Sequence, residues 1–171
     1  MHRVIEGLVW ARKALEGPWP SAKRRPRGAK GQGVKYENAL AKALPSAKHG
    51  QWFEFQDRNG KGWCQTDLLI ELPDGVLVLE SKYSWVPEGH TQLENLYRPV
   101  VERVWQKPML GVQVCKNLAV GCRIETVMRL DDALAVAKQR RPVVLHWLGN
   151  VPLSATFAKR PLANSRDVCV A

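Results

Sequence analysis

Three residues of this chain have types and spacing that suit metal-assisted hydrolysis: Asp67, Glu80 and Lys82. Two carboxylates hold a hard divalent cation through oxygen, and a nearby ammonium can position a water or a phosphate. The residues fall on two apolar runs, Gln65 to Leu72 and Val76 to Lys82, joined by Pro73-Asp74-Gly75. Read as a hairpin with Asp74-Gly75 as its two-residue loop, Pro73 pairs with Val76, which puts Asp67 opposite Lys82 and Leu69 opposite Glu80. Asp67 and Glu80 are then diagonal neighbours, about 7 to 8 Å apart at the backbone. Leu68, Ile70, Leu77 and Leu79 share one face, and Leu69, Val76 and Val78 the other, as in strands covered on both sides. Charges at the end of such a hairpin are costly unless paired or metal-bound. A plain Asp67–Lys82 ion pair at a sheet edge is the alternative reading.

Sulfur and imidazole ligation is not signalled. Cys64, Cys115, Cys122 and Cys169 form no Cys-x-x-Cys pair, and His2, His49, His90 and His146 are scattered without metal-ligand spacing. The cysteines read as reduced, partly buried thiols. Any metal is expected to be held by oxygen.

The elements that must position the cluster can be read from periodicity and turn residues. Residues 3–16 place Ile5, Leu8, Val9, Arg12 and Leu15 near helical spacing before the stop at Gly17-Pro18, which predicts an N-terminal amphipathic helix. Residues 17–32 are rich in Pro, Gly and base, predicting a flexible arm. Residues 33–44 predict a helix with Tyr36, Leu40 and Leu44 on one stripe and Glu37 beside it. Trp52 to Asp57 and about Trp63 to Leu72 predict strands around an Asn59-Gly60 turn, and Val76 to Tyr83 a third. A helix opens at Thr91, with Glu94 completing a capping box, and carries Leu93, Leu96, Tyr97, Val100, Val101, Val104 and Trp105. Pro99 lies inside it and predicts a kink or break. Met109 to Cys115 predicts a strand, Asp131 starts a further helix and Val143 to Trp147 a last strand. The final twenty residues have no clear period. Helices before and after a strand meander predict a mixed sheet flanked by helices.

In this context the cluster resembles the PD-(D/E)XK nuclease superfamily: an Asp entering one strand, a hairpin, then Glu-x-Lys ending the next, here Asp67, Glu80 and Lys82. Thr66 stands where the name has Pro, a position without a catalytic atom. The helix, three strands, helix, strand order over roughly residues 33–116 is also similar to that superfamily's core. The resemblance implies an α/β, restriction-endonuclease-like fold, a mixed central sheet flanked by helices in αβββαβ order, here with an added N-terminal helix and basic arm. It implies Mg²⁺ (or Mn²⁺) bound by Asp67, Glu80 and the Ser81 backbone carbonyl, with Lys82 orienting or deprotonating a water. Gly33-Val34-Lys35-Tyr36-Glu37 resembles the Gly-x-x-x-Glu start of the first helix in resolvase-like members, implying Glu37 as a further metal ligand; a surface acid is the alternative. Gln92 resembles an accessory Gln of several branches, but Leu96 stands where those branches have Tyr, and Tyr97 comes one later. Tyr83, Trp85 and His90 follow Lys82 within reach of a nucleotide, although packing is the plainer role for the aromatics.

Charge points the same way. The chain has 26 Lys and Arg against 16 Asp and Glu in 171 residues, a net +10, which favours a polyanion. Lys23, Arg24, Arg25, Arg27 and Lys30 lie in the arm without an acid among them, and with Lys35 are candidate nucleic-acid contacts. With 45% apolar and 25% charged residues, wholesale disorder is excluded. No apolar run approaches the length needed to span a bilayer, and Glu6 interrupts Val4 to Trp10, so a soluble, cytoplasmic protein of a bacterium or phage-infected cell is expected. The expected organisation is an arm over residues 1–32, a nuclease-like domain over 33–150 and a tail over 151–171. The expected function is a DNA endonuclease acting on duplex, junction or branched DNA, with Holliday-junction-resolvase-like selectivity first, as a homodimer. A catalytically silent DNA-binding or assembly protein of the same fold is the competing class.

Overall fold

A computed structural model describes residues 3–18, 27–119, 122–150 and Leu153. Nine strands and four α-helices follow in the order β1 (Trp10–Ala14), α1 (Gly28–Ala43), β2 (Lys48–His49), β3 (Trp52–Asp57), β4 (Gly60–Gln65), β5 (Leu68–Leu72), β6 (Gly75–Ser84), α2 (Pro87–Gln92), a π-helical turn (Leu93–Tyr97), α3 (Arg98–Trp105), β7 (Met109–Asn117), β8 (Glu125–Val127), α4 (Leu130–Lys138) and β9 (Val143–His146) among the described residues.

A six-stranded mixed sheet runs β2-β5-β6-β7-β9-β8. β2, β5 and β6 pair antiparallel, and β6, β7, β9 and β8 pair parallel. Its strands are apolar on both faces because both are covered. On one side Leu68, Ile70, Leu77 and Leu79 meet Tyr36, Leu40 and Leu44 of α1 and Leu130, Ala133 and Ala137 of α4. On the other, Leu69, Val76 and Val78 meet Leu93, Leu96, Tyr97, Val100 and Val101 together with Phe53, Phe55 and Cys64. Those last three belong to a separate three-stranded sheet, β1-β3-β4. The two faces expected for the hairpin are the ones observed.

Several expectations need correction. The N-terminal segment is not a helix: Gly7 takes a left-handed φ of 59°, and Trp10–Ala14 pairs antiparallel with β3. Ile5, Leu8 and Ala11 pack on the core either way, but only an extended chain satisfies the free edge of β3. The stretch Trp63 to Leu72 is not one strand. It leaves the small sheet after Gln65 and joins the large sheet at Leu68, so Thr66 and Asp67 form the crossing between them. The first hairpin loop is Arg58-Asn59, one residue earlier than expected, because the Asp57 carboxylate caps the Asn59 N–H at 2.9 Å. Likewise Leu72 pairs with Gly75, leaving Pro73-Asp74 as the second loop, where proline's missing N–H costs no ladder bond.

The helix carrying Gln92 starts at Pro87 rather than Thr91; Thr91 is inside it, its hydroxyl donating to the Pro87 carbonyl at 3.3 Å. The break expected at Pro99 is the π turn. Pro99 offers no N–H to the Asn95 carbonyl, and the Ile5 N–H donates there instead, at 3.0 Å. The helix expected over residues 33–44 begins at Gly28, so Gly33 is interior and Lys30 is helical rather than part of an arm. β2 and β8, two and three residues long, were not expected from periodicity. Lys23, Arg24 and Arg25, and the tail over 151–171 apart from Leu153, lie outside the described residues.

Candidate active site

The chain's switch between sheets determines where Asp67 stands. With Leu68 opposite Leu79, continuing the register would set Asp67 beside Glu80 rather than Lys82. The correction moves the pairing by two residues, which keeps the pleat parity, so Asp67, Glu80 and Lys82 remain on one side of the hairpin. Asp67 Oδ2 accepts from the Ser81 N–H at 2.7 Å and the Ser81 hydroxyl at 2.8 Å. The Gly50 N–H donates to the Asp67 carbonyl at 2.9 Å, and the Thr66 N–H to the Gln51 carbonyl at 3.0 Å, so the crossing is held from both sides. A strand residue offers N–H and C=O to the same neighbour, so the Ser81 carbonyl faces the Asp67 side.

Glu80 is 1% exposed, and Lys82 Nζ contacts its Oε1. Its other oxygen, Oε2, is buried with no hydrogen-bond partner among the described residues. Burial, followed by the charge of Asp67, pushes the Glu80 carboxyl up to about 8, against the pull of Lys82. Burial alone would lower the Lys82 ammonium, but the neighbouring Glu80 and Asp67 charges outweigh it and raise it. The pair Asp67–Lys82 imagined from sequence is therefore a Glu80–Lys82 contact, with Asp67 held by Ser81.

Glu37 projects from α1 to the same end of the sheet. Its Oε1 lies 2.6 Å from His49 Nε2. Burial and then Asp67 raise its carboxyl, while His49 and Lys82 lower it, so it belongs to the same electrostatic cluster. Lys30 is exposed seven residues earlier on α1, hence on the Glu37 face and about 10 Å along the axis. Lys35 is exposed on the opposite side of that helix, and Arg27 is exposed at its N-cap.

Gln92 and Tyr97 meet in spite of their five-residue spacing. A π turn closes with i to i+5 spacing, so residues five apart come one above the other. Gln92 Nε2 contacts the Tyr97 hydroxyl, which donates to the Gln65 carbonyl at 2.6 Å. Tyr97 is 1% exposed, and burial, then Glu80 and Asp67, raise its phenol. The signals that could have found it were Pro99 and the five-residue spacing itself. Gln113 was missed: it is fully buried, pairs with Glu80 across β6 and β7, and donates to the Val86 carbonyl at 2.9 Å. A lone amide in the apolar run Met109 to Cys115 was its signal. A Cβ on Gly89 would sit 2.5 Å from Gln113 Nε2, so a side chain there would displace the Gln113 amide. Tyr83 packs edge-on to Tyr36, with ring centroids 6.1 Å apart, and His90 is held below its ordinary pKa by burial.

Among the described residues no three His, Cys, Asp or Glu side chains gather into a ready metal site. The unpartnered Glu80 Oε2, and the Oε1 atoms of Gln92 and Gln113, are nonetheless buried acceptors without donors. A cation with retained waters satisfies such atoms, so Asp67, Glu80 and the Ser81 carbonyl are a chemically fitting donor set for Mg²⁺. Cys64 and Cys115 are buried thiols pushed up to about 12 by burial, which keeps them inert. No helix among the described residues is long and apolar enough to cross a membrane. Comparison of the chain with known family models, curated proteins and solved structures gives no match.

Proposed function

We propose that this protein is a Mg²⁺- or Mn²⁺-dependent DNA endonuclease with a restriction-endonuclease-like core of the PD-(D/E)XK superfamily. The observation that supports it best is the buried Glu80 carboxylate, one oxygen against Lys82 and the other unpartnered, beside Asp67 at the end of an apolar hairpin. An ionisable residue left half-satisfied in a core strand costs stability, and a functional role is a reason to retain it.

In this reading Asp67, Glu80 and the Ser81 carbonyl hold the cation, and Glu37 adds a carboxylate from α1. When bound, the cation supplies Lewis-acid stabilisation of charge on the phosphoryl oxygens. Lys82, beside Glu80, would present its ammonium to the attacking water or the phosphate. Ser81 keeps Asp67 oriented. Gln92 and Tyr97 fix the floor behind Glu80. Arg27 and Lys30, with Lys23, Arg24, Arg25 and Lys35, supply phosphate contacts. The protein acts in the cytoplasm as a homodimer, and branched DNA such as a four-way junction is the first substrate to try.

The internal pairing of the carboxylates also favours a second reading, a silent DNA-binding protein whose cluster only holds the fold. Incubation with supercoiled plasmid, linear duplex, single strands and a four-way junction in Mg²⁺, Mn²⁺ or EDTA separates the two. Metal-dependent cutting that is lost in Lys82→Ala with binding intact supports the nuclease; retarded DNA without cutting in any metal supports the silent protein.

A further inference from the structure

The three-stranded sheet has an outward face that the candidate site does not use. Phe53, Phe55 and Cys64 point into the core, so their neighbours in register point away from it. Across β1, β3 and β4 these form three rows: Trp10, Gln56 and Lys61; Arg12, Glu54 and Trp63; Ala14, Trp52 and Gln65. Three of the chain's seven tryptophans thus share one face, each partly exposed. Trp63 and Trp52 are diagonal neighbours, about 7 to 8 Å apart at the backbone. Arg12 contacts the buried Glu54 carboxylate and stands 5.7 Å from the Trp10 ring. Lys61 is exposed at one end.

The face leads toward the cluster. At its other end a cleft of about 430 Å³ is lined by Lys13, Lys48, His49, Gly50 and Trp52, the two lysines sharing the exposed Glu71 carboxylate and so leaving one net positive charge. His49 is the partner of Glu37, and Asp67 is two residues beyond Gln65.

We propose that this face binds single-stranded DNA, with unpaired bases stacking on Trp10 and Trp63 and the backbone running through the lysine-lined cleft toward Asp67. Its chemistry selects that occupant. Indole rings interleaved with cations and amides, on a face whose only aliphatic residue is Ala14, suit bases and phosphates better than an apolar protein patch. Paired bases in a duplex offer no ring faces to stack, so the preference is for unpaired strands. A net charge of +10 supplies the polyanion attraction. Delivery of the strand to Asp67 rests on the nuclease reading; binding to the face does not.

The test is fluorescence anisotropy of a labelled 15-nucleotide oligothymidine against a duplex of equal length, with the full chain in EDTA, alongside quenching of intrinsic tryptophan emission. The expected result is tighter binding of the single strand, with quenching, and a loss of about fivefold to a hundredfold in Trp63→Ala or Trp10→Ala. Trp63→Phe retains most of the affinity. Lys61→Glu, at an exposed position, weakens binding even where an alanine variant fails to fold. Unchanged single-strand affinity in folded Trp63→Ala, Trp10→Ala and Lys61→Glu overturns the proposal, as does equal affinity for duplex or quenching by a neutral oligosaccharide instead of DNA. Tryptophan-dependent binding without metal-dependent cutting by the parent protein leaves the face standing and removes the nuclease reading.

Discussion

The two ends of the β5–β6 hairpin are built on opposite terms. Near the loop, Leu72, Ile70, Val76 and Leu77 are paired in register and buried on both sides. At the open end β5 has already stopped, and Asp67, Glu80, Ser81 and Lys82 occupy the space that another ladder pair would fill. The first end is satisfied by apolar contact, which is non-directional and additive over area. The second is satisfied only in part, and Glu80 retains an orphaned oxygen in the interior. The contrast teaches that the hairpin anchors the fold at one end so that the other can hold charges the fold does not need.

Substitutions on either side of that divide should behave differently. Lys82→Ala should lower plasmid cleavage by roughly 10²- to 10⁴-fold, the range for a group acting on the proton or charge in the transition state. Parent-like cleavage by that variant would erase the functional half of the contrast. Leu77→Ala, paired with Ile70 toward the loop and fully buried in the apolar cluster, should cost about 2 to 5 kcal/mol in chemical denaturation. A loss below about 1 kcal/mol would mean that the loop end does not carry the fold as described.

Glu80→Gln should separate the two roles in one residue. The Glu80 carboxyl ionises near 8 in the folded chain, far above its ordinary value, so the folded state binds the extra proton between those limits. Stability of the metal-free parent should therefore fall as pH rises from about 4.5 to about 8. Glu80→Gln should flatten that slope and gain roughly 2 to 4 °C in melting temperature at pH 8 per kcal/mol relieved, while cleavage is lost. An unchanged slope in EDTA would show that Glu80 does not titrate across this range.

The smallest effect is expected behind the site. Tyr97→Phe removes the donor to the Gln65 carbonyl and the acceptor for Gln92, and should cost about 1 kcal/mol. Cleavage should drop less than in Lys82→Ala. A drop as large as that of Lys82→Ala would move Tyr97 from supporting Glu80 to touching the substrate.

Much of this was legible in the residues. The two apolar faces of the hairpin follow from alternation alone, and so did the common side of Asp67, Glu80 and Lys82, because a pairing error of two residues leaves pleat parity unchanged. The stripe Tyr36, Leu40 and Leu44 likewise marks the buried face of α1. Local pattern failed where a partner elsewhere made the decision. Residues 3–16 have helical spacing, yet an unpaired edge of β3 draws Trp10–Ala14 into a strand. Trp63 to Leu72 reads as one strand, yet it is shared between two sheets, and the corner so created is where Asp67 stands.

The sequence by itself determined which residues alternate, which face water and which carboxylates and lysine lie within a few positions of a turn, since these depend on the period of the chain. Only the tertiary structure decided that Lys82 contacts Glu80 while Ser81 holds Asp67, that a π turn carries Tyr97 to Gln92, and that Glu37 and Gln113 join from α1 and β7. Glu37 and Gln113 come from elements distant in the chain, while the Lys82–Glu80 contact and the π turn depend on side-chain and backbone conformations that the surrounding packing selects, and no local periodicity encodes either.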